Sequence, residues 1–352
     1  MRSILVTGGA GFIGSNFVDL MISKGHKVVV LDLLTYAGHK ENLEASWSKI
    51  QFIKGDIADA NLASELLREY SITDVVNIAA ESHVDRSIAE PDAFIRSNVV
   101  GVYSLLRASY EYWRDLPASI RDDFRFLQVS TDEVFGDLGE EGKFNEMTPY
   151  APNSPYSASK AGGDHLVRAW RHTYGLPTLI TNCSNNYGPR QYPEKLIPYM
   201  ITRALAEKSL PIYGTGQNVR DWIHVEDHCR GIALALEKGR PGATYCFGGN
   251  AERRNIDVVR TICQLLDKKR PRKNGESYEK LIEFVEDRKG HDWRYAIDDT
   301  KAQRELGFRR QYESFEEGLS ATIDWYLNNQ KWCEAVTRTE KEFRGNGLSL
   351  AN

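Results

Sequence analysis

The sequence lacks long apolar runs, an excess of basic residues and paired cysteines. No apolar stretch approaches the roughly 18 residues that a membrane-spanning helix needs, so we expect no membrane contact. The net charge of -4 excludes the positive footprint of a nucleic-acid-binding protein. The chain enters a strand at once, so no signal peptide is predicted.

Cysteine is scarce as well, and its distribution excludes two kinds of scaffold. The five cysteines form no C-x-x-C pair, and the eight histidines show no metal-ligand spacing. This argues against a disulfide framework and against a metal site, and it favours a reducing compartment. We therefore expect a cytoplasmic protein without metal. The cysteines are Cys183, Cys229, Cys246, Cys263 and Cys333.

What is present is an ordinary globular composition in a long chain. Hydrophobic residues make up 41% of the 352 residues and charged residues 27%. This length exceeds what one domain core usually holds, so two lobes are predicted.

A glycine-rich turn near the N-terminus is the most informative motif. The apolar run Ser3–Thr7 leads into Gly8, Gly11 and Gly14, and an apolar helical pattern follows. Strand, glycine turn and helix are the context that a dinucleotide-binding fingerprint requires. The glycines permit a tight turn and close approach of a pyrophosphate, which the helix N-terminus attracts. A glycine-rich turn without ligand is the alternative reading.

A second strand, Lys27–Leu31, ends in Asp32, where such folds hold the adenosine ribose hydroxyls. Leu33 and Leu34 follow without an arginine, which favours NAD over NADP.

The order of elements predicts an α/β fold. Strands and helices alternate up to about Asn186, which predicts a Rossmann-type, doubly wound parallel sheet with right-handed crossovers. Beyond this point the rhythm breaks, and we expect a smaller C-terminal α/β lobe for substrate. The expected divisions are an NAD-binding domain over 1–186 with a return segment near 222–247, a substrate lobe over 187–221 and 248–330, and a polar, frayed tail over 337–352.

Several segments carry specific expectations. Asp74–Ala80 and Phe124–Ser130 are predicted strands, and Phe94–Trp113 and Pro155–Tyr174 are predicted long helices. The segments 35–47 and 81–92 are predicted to be polar and loop-like.

A run of hydroxyls and acids, Ser130-Thr131-Asp132-Glu133, follows one of these strands. The carboxyl ends of strands are where ligands bind in an open α/β sheet. Taken alone, the run could equally be a solvated loop or a helix cap.

Tyr156 and Lys160 lie four residues apart at the start of a predicted helix and therefore share a face. A lysine ammonium beside a phenol lowers its pKa from about 10; bringing it near 7 would take about 3 units, to which the positive charge of a nicotinamide would contribute. Such a phenolate accepts a proton from an alcohol. Tyr36 and Lys40 show the same spacing, but they follow the adenosine-side strand and are interpreted as a chance match.

Together these motifs resemble the extended short-chain dehydrogenase/reductases and, within them, the nucleotide-sugar 4,6-dehydratases, most closely those acting on dTDP-glucose. The resemblance runs from about Arg2 to Leu327. It includes the segments 79–85, 130–136, 185–189, 216–227 and 287–292, and it departs from the family at Lys289, where proline is usual.

The resemblance implies a reaction with NAD as cofactor. Tyr156 would deprotonate the sugar 4-hydroxyl, Lys160 would tune it and bind the nicotinamide ribose, and Thr131 would hydrogen-bond the 4-oxygen. Glu133 would remove the C5 proton and Asp132 would protonate the leaving 6-hydroxyl. The two acids then need pKa values that are pushed apart. The product would be a 4-keto-6-deoxy sugar, used in deoxysugar synthesis such as that of dTDP-rhamnose.

The resemblance also implies binding residues. The cofactor would contact Gly8, Gly11, Phe12, Ile13, Gly14, Asp32, Leu33, Leu34, Thr35, Asp56, Ile57, Ala79, Ala80, Ser82, Asn98, Tyr156, Lys160 and Asn186. The nucleotide sugar would contact His83, Thr131, Asn185, Lys195, Leu196, Pro211, Ile212, Tyr213, Arg220, Asn255, Asp287 and His291. For Arg220 a structural ion pair is the alternative, and His83 and His291 could be ordinary packed histidines.

The same resemblance implies a homodimer through a four-helix bundle formed by Phe94–Trp113 and Pro155–Tyr174. The alternatives are a 4-epimerase, a decarboxylase, a GDP-mannose dehydratase or a non-catalytic NAD-binding regulator. An epimerase needs no elimination acid and base, so the pair Asp132 and Glu133 argues against it. The choice among dTDP, UDP and GDP rests on resemblance alone.

Overall fold

The computed structural model describes residues 1–287 and 292–345, with side chains up to residue 337. The strands are β1 (Ser3–Thr7), β2 (Lys27–Asp32), β3 (Ile50–Lys54), β4 (Asp74–Asn77), β5 (Arg125–Thr131), β6 (Thr178–Cys183), β7 (Asn185–Tyr187), β8 (Leu210–Tyr213), β9 (Val219–His224), β10 (Thr244–Phe247), β11 (Glu252–Arg254) and β12 (Ile282–Val285).

The helices are α1 (Phe12–Ser23), α2 (Ala60–Glu69), α3 (Val84–Ala89), α4 (Pro91–Ile95), α5 (Val102–Arg114), α6 (Ala118–Arg121), α7 (Pro155–Tyr174), α8 (Leu196–Leu205), α9 (Val225–Lys238), α10 (Asn255–Lys269), α11 (Thr300–Leu306), α12 (Phe315–Asn328) and α13 (Gln330–Gly345). Short 3-10 helices cover Lys40–Lys49, Asp132–Phe135 and Tyr278–Leu281, and a π-helical turn covers Arg96–Gly101.

The central sheet has seven parallel strands in the order β10-β6-β5-β4-β1-β2-β3. This is the doubly wound arrangement, and it confirms the predicted fold class. The strand order reverses between β1 and β4, which is where ligands bind in such folds.

Both faces of the sheet are covered by apolar side chains. One core joins α1 and α9 to the sheet through residues such as Phe17, Ile232 and Phe247. The other joins α2, α5 and α7 through residues such as Leu66, Leu105 and Val167. The near-continuous apolar strands, for example Ile4–Val6, follow from burial on both sides.

A separate core, away from the central sheet, defines what we call the C-terminal lobe. Its helices α8, α10 and α12 pack around residues such as Ile201, Ile262 and Leu319. The small sheets β11-β9-β7 and β12-β8 belong to this lobe. After entering it at β7, the chain returns through α9 and β10 to the edge of the central sheet before leaving again at β11.

Several local predictions differ from the structure. The segments 35–47 and 81–92 contain a 3-10 helix and α3, respectively, and β4 ends at Asn77, before Ala80. The predicted helix Phe94–Trp113 is interrupted by the π-helical turn. Helix α13 continues to Gly345, through part of the segment predicted to fray. None of the described helices combines the length and the apolar character that crossing a membrane requires.

Candidate active site

A cleft of about 470 Å³ opens at the carboxyl ends of the central strands. Its walls come from the glycine turn after β1, the loops after β2, β4 and β5, the start of α7, and the segment after β6. The cleft therefore lies at the switch point that the strand order creates.

The glycine turn leaves room that any side chain would fill. Gly8 has φ +67°, and a Cβ there would lie 2.6 Å from the backbone nitrogen of Ala79. A Cβ on Gly14 would lie 2.0 Å from the carbonyl oxygen of Gly8. Helix α1 begins without a side-chain cap from Gly11, so its first N–H groups face the cleft as an anion-binding end. This cradle fits a diphosphate.

The side chain of Asp32, at the end of β2, is held in place by backbone hydrogen bonds. Its carboxylate accepts hydrogen bonds from the backbone N–H groups of Ala10 and Leu34, each 2.8 Å long. Burial raises the pKa of Asp32, and these two hydrogen bonds oppose the rise. A carboxylate has further lone pairs, which fit the hydroxyls of a ribose.

Most of the predicted cofactor residues line this cleft. Two do not: Leu34 is held by Asp32 through its backbone, and Asn98 is buried behind the wall. Those that line the cleft are Gly8, Gly11, Phe12, Ile13, Gly14, Asp32, Leu33, Thr35, Asp56, Ile57, Ala79, Ala80, Ser82, Tyr156, Lys160 and Asn186.

All five predicted catalytic residues line the same cleft. Strand β5 ends at Thr131, whose hydroxyl accepts a hydrogen bond from the Glu133 N–H and donates one to Asp132, each 3.3 Å long. Helix α7 begins with a capping box in which Ser154 and Ser157 bond each other's backbone. This cap fixes the first turn of α7 and therefore the position of Tyr156.

Asp132 lies in a place that holds its proton. It is 2% exposed, and its Oδ2 has no hydrogen-bond partner among the described residues. Burial raises the pKa of Asp132 well above its ordinary value, and the Glu133 and Asp221 carboxylates raise it further. Glu133 is only half-buried, so the two neighbouring acids occupy different environments, as the chemistry requires.

The expected low pKa of Tyr156 is not found in the protein alone. Burial raises the pKa of Tyr156 well above 10, the Glu133 charge adds to the rise, and a hydrogen bond with Thr131 opposes it. The Lys160 ammonium donates to the carbonyl oxygen of Val129 over 2.8 Å. A pKa near 7 therefore depends on charges beyond those of the ligand-free chain, because burial adds the cost of ionising a phenol inside the protein.

The alternative pair also has a place in the structure. Tyr36 lines the cleft, with the Arg86 guanidinium 4.1 Å from its ring centre. The Lys40 ammonium lies over the rings of Trp47 and Phe52, at 5.7 and 5.9 Å.

Three of the predicted substrate residues, Thr131, Asn185 and Lys195, line the cleft. Lys195 donates to the carbonyl oxygen of Ser82 over 3.1 Å, just before Leu196 opens α8. His83 caps α3, and its Nε2 lies 3.6 Å from a carboxylate oxygen of Glu194.

Other predicted substrate residues cluster around the turn between β8 and β9 in the C-terminal lobe. Pro211, Ile212 and Tyr213 lie in β8, which pairs with β12. Asn255 is the first residue of α10, and its backbone N–H donates a hydrogen bond to the carbonyl oxygen of Asn218. A Cβ on Gly214 would lie 2.8 Å from Asp287, so this acid packs on the turn. His291 lies outside the described residues.

Arg220 on β9 is buried, and its side chain is directed towards the segment 292–295. Its guanidinium donates to the carbonyl oxygens of Val219 and Asp292, over 2.8 and 2.9 Å, and lies 4.4 Å from the ring centre of Tyr295. A guanidinium held in this way is oriented, with donors that suit a diphosphate.

Sequence reasoning missed several residues around the cleft. Glu194, Gln191 and Tyr192 line it, directly before the predicted Lys195. Asp164 is buried behind Lys160. The i, i+4, i+8 spacing of Tyr156, Lys160 and Asp164 along α7 is the signal that could have found it.

The fold and the cleft together define a dinucleotide-dependent enzyme of the nucleotide-sugar type. The family model described as GDP-mannose 4,6 dehydratase matches residues 5–322. A dTDP-glucose 4,6-dehydratase of Xanthomonas campestris pv. campestris strain B100 is 59% identical over 339 residues, covering 96% of each chain. One from Escherichia coli K12 is 51% identical, covering 95% of each chain. The chain belongs to the dTDP-glucose 4,6-dehydratase family of the extended short-chain dehydrogenase/reductases.

Solved structures show the same relationship. A dTDP-glucose 4,6-dehydratase of Bacillus anthracis in complex with NAD is 45% identical, with a TM-score of 0.84 over 96% of this chain and all of that one. The enzyme of Streptomyces venezuelae, also solved with NAD, is 44% identical, with a TM-score of 0.86 at the same coverage. A UDP-glucose 4-epimerase of Thermotoga maritima is 28% identical, with a TM-score of 0.83, over 93% of this chain and 99% of that one.

Proposed function

We propose that this chain is an NAD-dependent enzyme that converts dTDP-D-glucose into dTDP-4-keto-6-deoxy-D-glucose and water. The observation that carries the proposal is that one cleft holds Tyr156, Asp132 and Glu133 together. Oxidation of an alcohol needs one base, and elimination of water needs a further base and an acid. The family to which the chain belongs supports the choice of dTDP-glucose.

The cleft fits NAD by its shape and its donors. Gly8 and Gly14 leave the space a diphosphate needs beside the start of α1, and Asp32 suits the adenosine ribose. When bound, NAD would accept the hydride that leaves C4 of the sugar and return it to C6.

In the first step Tyr156 takes the proton of the sugar 4-hydroxyl. Because burial raises the pKa of Tyr156, its phenolate depends on positive charge nearby. Lys160, four residues further along α7, would supply such charge, and a bound oxidised nicotinamide would add to it. The Thr131 hydroxyl hydrogen-bonds the 4-oxygen and stabilises its changing charge.

In the second step the two acids divide the elimination. The 4-ketone acidifies the neighbouring C5–H, and Glu133 removes that proton. Asp132, which burial keeps protonated, donates its proton to the departing 6-hydroxyl. Once hydride had returned to C6, Glu133 would give C5 a proton that had exchanged with solvent, which completes the product. The nucleotide is bound by the C-terminal lobe, with Arg220 and the turn after Tyr213 on the side of the dTDP group.

The proposal includes a homodimer through the faces of α4, α5 and α7. Exposed apolar side chains support it: Ile95, Val100 and Tyr103 are 49%, 43% and 41% exposed. Tyr103 packs edge-on against Trp170 of α7, so the two helices share one apolar face. Side chains of this kind, gathered on one face, are typical of an interface.

The remaining parts of the proposal concern the division into domains, the cellular location and the use of the product. We propose the division into an NAD-binding part over 1–186, with the return segment 222–247, and a substrate lobe over 187–221 and 248–330. A cytoplasmic location is supported by the five cysteines, all in the described part of the chain and all with free thiols. Use of the product in deoxysugar synthesis follows from its chemistry.

The test is a product assay by mass spectrometry in deuterated water. The wild-type protein, with NAD, is expected to remove water from dTDP-glucose and to leave a solvent deuteron at C5. Asp132→Asn with Glu133→Gln is expected to lower dehydration by about 100-fold or more while reduced nicotinamide still forms. Glu140→Gln, an exposed acid in the loop after the site, is the matched control and should leave the rate unchanged.

UDP-glucose and GDP-mannose are assayed in parallel. Dehydration of one of these in place of dTDP-glucose would contradict the proposed substrate. Inversion at C4 without loss of water would contradict the dehydratase reaction and favour an epimerase.

A further inference from the structure

Helix α13 packs on the C-terminal lobe, but one of its side chains reaches the segment between β2 and β3. The ring of Trp332 lies against Trp325 and Tyr326 of α12, with ring centres 5.0 and 6.2 Å apart. Its indole N–H donates a hydrogen bond of 2.8 Å to Oδ1 of Asn42, 290 residues earlier in the chain. Asn42 belongs to the 3-10 helix Lys40–Lys49. This hydrogen bond therefore joins the lobe to the part of the chain that follows Asp32.

The side chain of Asn42 continues this connection to the glycine turn. Asn42 is 2% exposed, and its Nδ2 donates to the carbonyl oxygen of Ala10 over 2.7 Å. The same oxygen accepts the N–H of His39 over 3.0 Å. The N–H of Ala10 donates to the Asp32 carboxylate over 2.8 Å. Ala10, which directly precedes Gly11 in the turn, is therefore held through both its N–H and its carbonyl group.

The partners of the Asn42 amide leave it one orientation. An indole nitrogen only donates and a backbone carbonyl only accepts, so Oδ1 has to face Trp332 and Nδ2 has to face Ala10. The backbone of Asn42 is held separately, because Arg190 donates to its carbonyl oxygen over 2.8 Å. Loss of the indole N–H would leave a buried oxygen without its partner, and an amide that rotated to find another donor would lose Ala10. The effect of such a loss is therefore transmitted to the turn.

We propose that Trp332 and Asn42 are positioning residues for NAD, which act by holding Ala10 in the glycine turn. Gly11 lines the cleft and α1 begins at Phe12, so a shift of Ala10 moves the N–H groups that face the cleft. Among the described residues that line the cleft, neither Trp332 nor Asn42 occurs. The inference rests on the proposed function for the identity of the cofactor, and it adds that a helix of the C-terminal lobe contributes to holding that cofactor.

The test measures how fast NAD leaves the full-length protein. Each protein is loaded with radiolabelled NAD, and release of the label into an excess of unlabelled NAD is followed over time. Trp332→Phe keeps an aromatic ring in the lobe but has no N–H to donate. NAD is expected to leave this variant about three to ten times faster, which is the range that one lost hydrogen bond gives. In contrast, kcat at saturating NAD should change by less than about twofold, because the reacting groups are untouched.

Trp325→Phe is the matched control, because Trp325 packs in the same aromatic cluster. It should release NAD at the wild-type rate, even if its thermal midpoint falls. Unchanged release in Trp332→Phe would overturn the proposal. Equal acceleration in the two variants would overturn it as well, because packing of the lobe would then be the cause.

A double-variant cycle tests whether the two residues act as one connection. Asn42→Ala removes the donor to Ala10 and the acceptor of Trp332 together, so NAD should leave it at least as fast as it leaves Trp332→Phe. Adding Trp332→Phe to Asn42→Ala should then change little, because the bond it removes is already gone. Effects that multiply in the double variant would show two independent residues and would contradict the proposal.

If Trp332→Phe does not fold, Asn42→Ala and Ser46→Ala decide the question. Both substitutions lie in the same 3-10 helix and both remove a buried polar contact, since the Ser46 hydroxyl donates to Asp19 of α1. Only Asn42 is bonded to the glycine turn. NAD should therefore leave Asn42→Ala faster than Ser46→Ala, and equal rates in the two variants would overturn the proposal.

Release of NAD needs no sugar, so this test is separate from that of the reaction. A wild-type protein that holds no NAD would overturn the cofactor assignment and this inference with it. A wild-type protein that holds NAD but removes no water from dTDP-glucose would overturn only the reaction, and the release rates of the variants would still decide the inference. Wild-type activity on dTDP-glucose, with unchanged release in Trp332→Phe and in Asn42→Ala, would overturn only the inference.

Discussion

Asp132 and Glu133 are neighbours in the sequence, but their carboxyl groups lie in different environments. Asp132 is buried among other carboxylates and holds its proton, whereas Glu133 is half-buried beside it. Their assignment as acid and base therefore depends on how the turn after β5 folds. Aspartate and glutamate in free solution titrate within about half a pH unit of each other, so sequence identity alone gives no such division.

The glycine turn gives a sharp prediction at the same scale. Gly14→Ala would bring a methyl group to 2.0 Å from the Gly8 carbonyl oxygen, so α1 would have to move away from the turn. We expect about 1–3 kcal/mol lower stability and at least about tenfold weaker NAD binding. Thermal unfolding and the NAD retained after gel filtration measure the two effects.

Gly139→Ala is the matched control, because a Cβ there meets no atom within 4 Å. It should bind NAD like the wild type. Equal NAD retention in Gly14→Ala and in the control would contradict the steric account of the turn.

The residue types of this site could be predicted from the sequence, but their protonation could not. The motifs identified Thr131, Tyr156 and Lys160, and the structure brings them into one cleft. The high pKa of Tyr156 depends on burial by residues distant in sequence. The spacing along α7 could have pointed to Asp164, but its hydrogen bond with Ser130, 34 residues earlier in the chain, could not be predicted.

At the scale of elements, the π-helical turn before α5 positions the side chain of Asn98. Asn98 lies in this turn and is buried. Its amide bonds both the N–H and the carbonyl of Glu81 over 3.0 Å and donates to the Ser159 hydroxyl over 2.9 Å. The turn therefore ties the loop after β4, which lines the cleft, to the first turns of α7.

Asn98→Ala should release this loop. We expect the free energy of unfolding to fall by about 2–3 kcal/mol, because backbone groups of Glu81 lose their partners inside the protein. NAD should also bind more weakly, since Ala80 and Ser82 line the cleft. Chemical denaturation and a calorimetric titration with NAD measure these changes.

Asn61→Ala, at an exposed position of α2, is the control and should change stability by about 0.5 kcal/mol or less. If both variants were equally stable, the loop would not depend on Asn98.

Long helices and strands with a regular apolar pattern were predicted well from the sequence, whereas short elements were missed. The bounds of α7 were predicted to the residue, because Pro155 marks its start and a clear helical period follows. Helix α3 was missed because its six residues are held by the His83 cap and by packing on α4 and α7. Strand β7 was missed because asparagine is a poor strand former and β9 supplies its pairing.

At the scale of the whole molecule, two buried histidines predict how the protein responds to acid. Burial lowers the pKa of His224 and of His228 from 6.5 to about 3. The unfolded chain therefore binds more protons than the folded chain between these values, and stability falls as pH drops below 6.5. At pH 5 each histidine contributes a loss of about 2 kcal/mol.

His228→Gln should remove one of these two contributions. The variant is expected to show a shallower loss of stability between pH 6.5 and pH 5, although its stability at pH 7.5 is lower because the ring packs beside Phe247. His172→Gln, an exposed position at the end of α7, should keep the wild-type slope. Urea denaturation at each pH measures the slopes, and an unchanged slope in His228→Gln would contradict the assignment.

The return of the chain to the central sheet through α9 and β10 has a consequence for how such enzymes can diverge. The edge strand β10 lies in the sequence between two parts of the C-terminal lobe, and α11 packs back onto α9 and β10. A recombination event with a single breakpoint would thus separate the sheet from its own edge. Exchange of the whole C-terminal lobe at one breakpoint would therefore either take β10 away from the central sheet or leave part of the lobe behind.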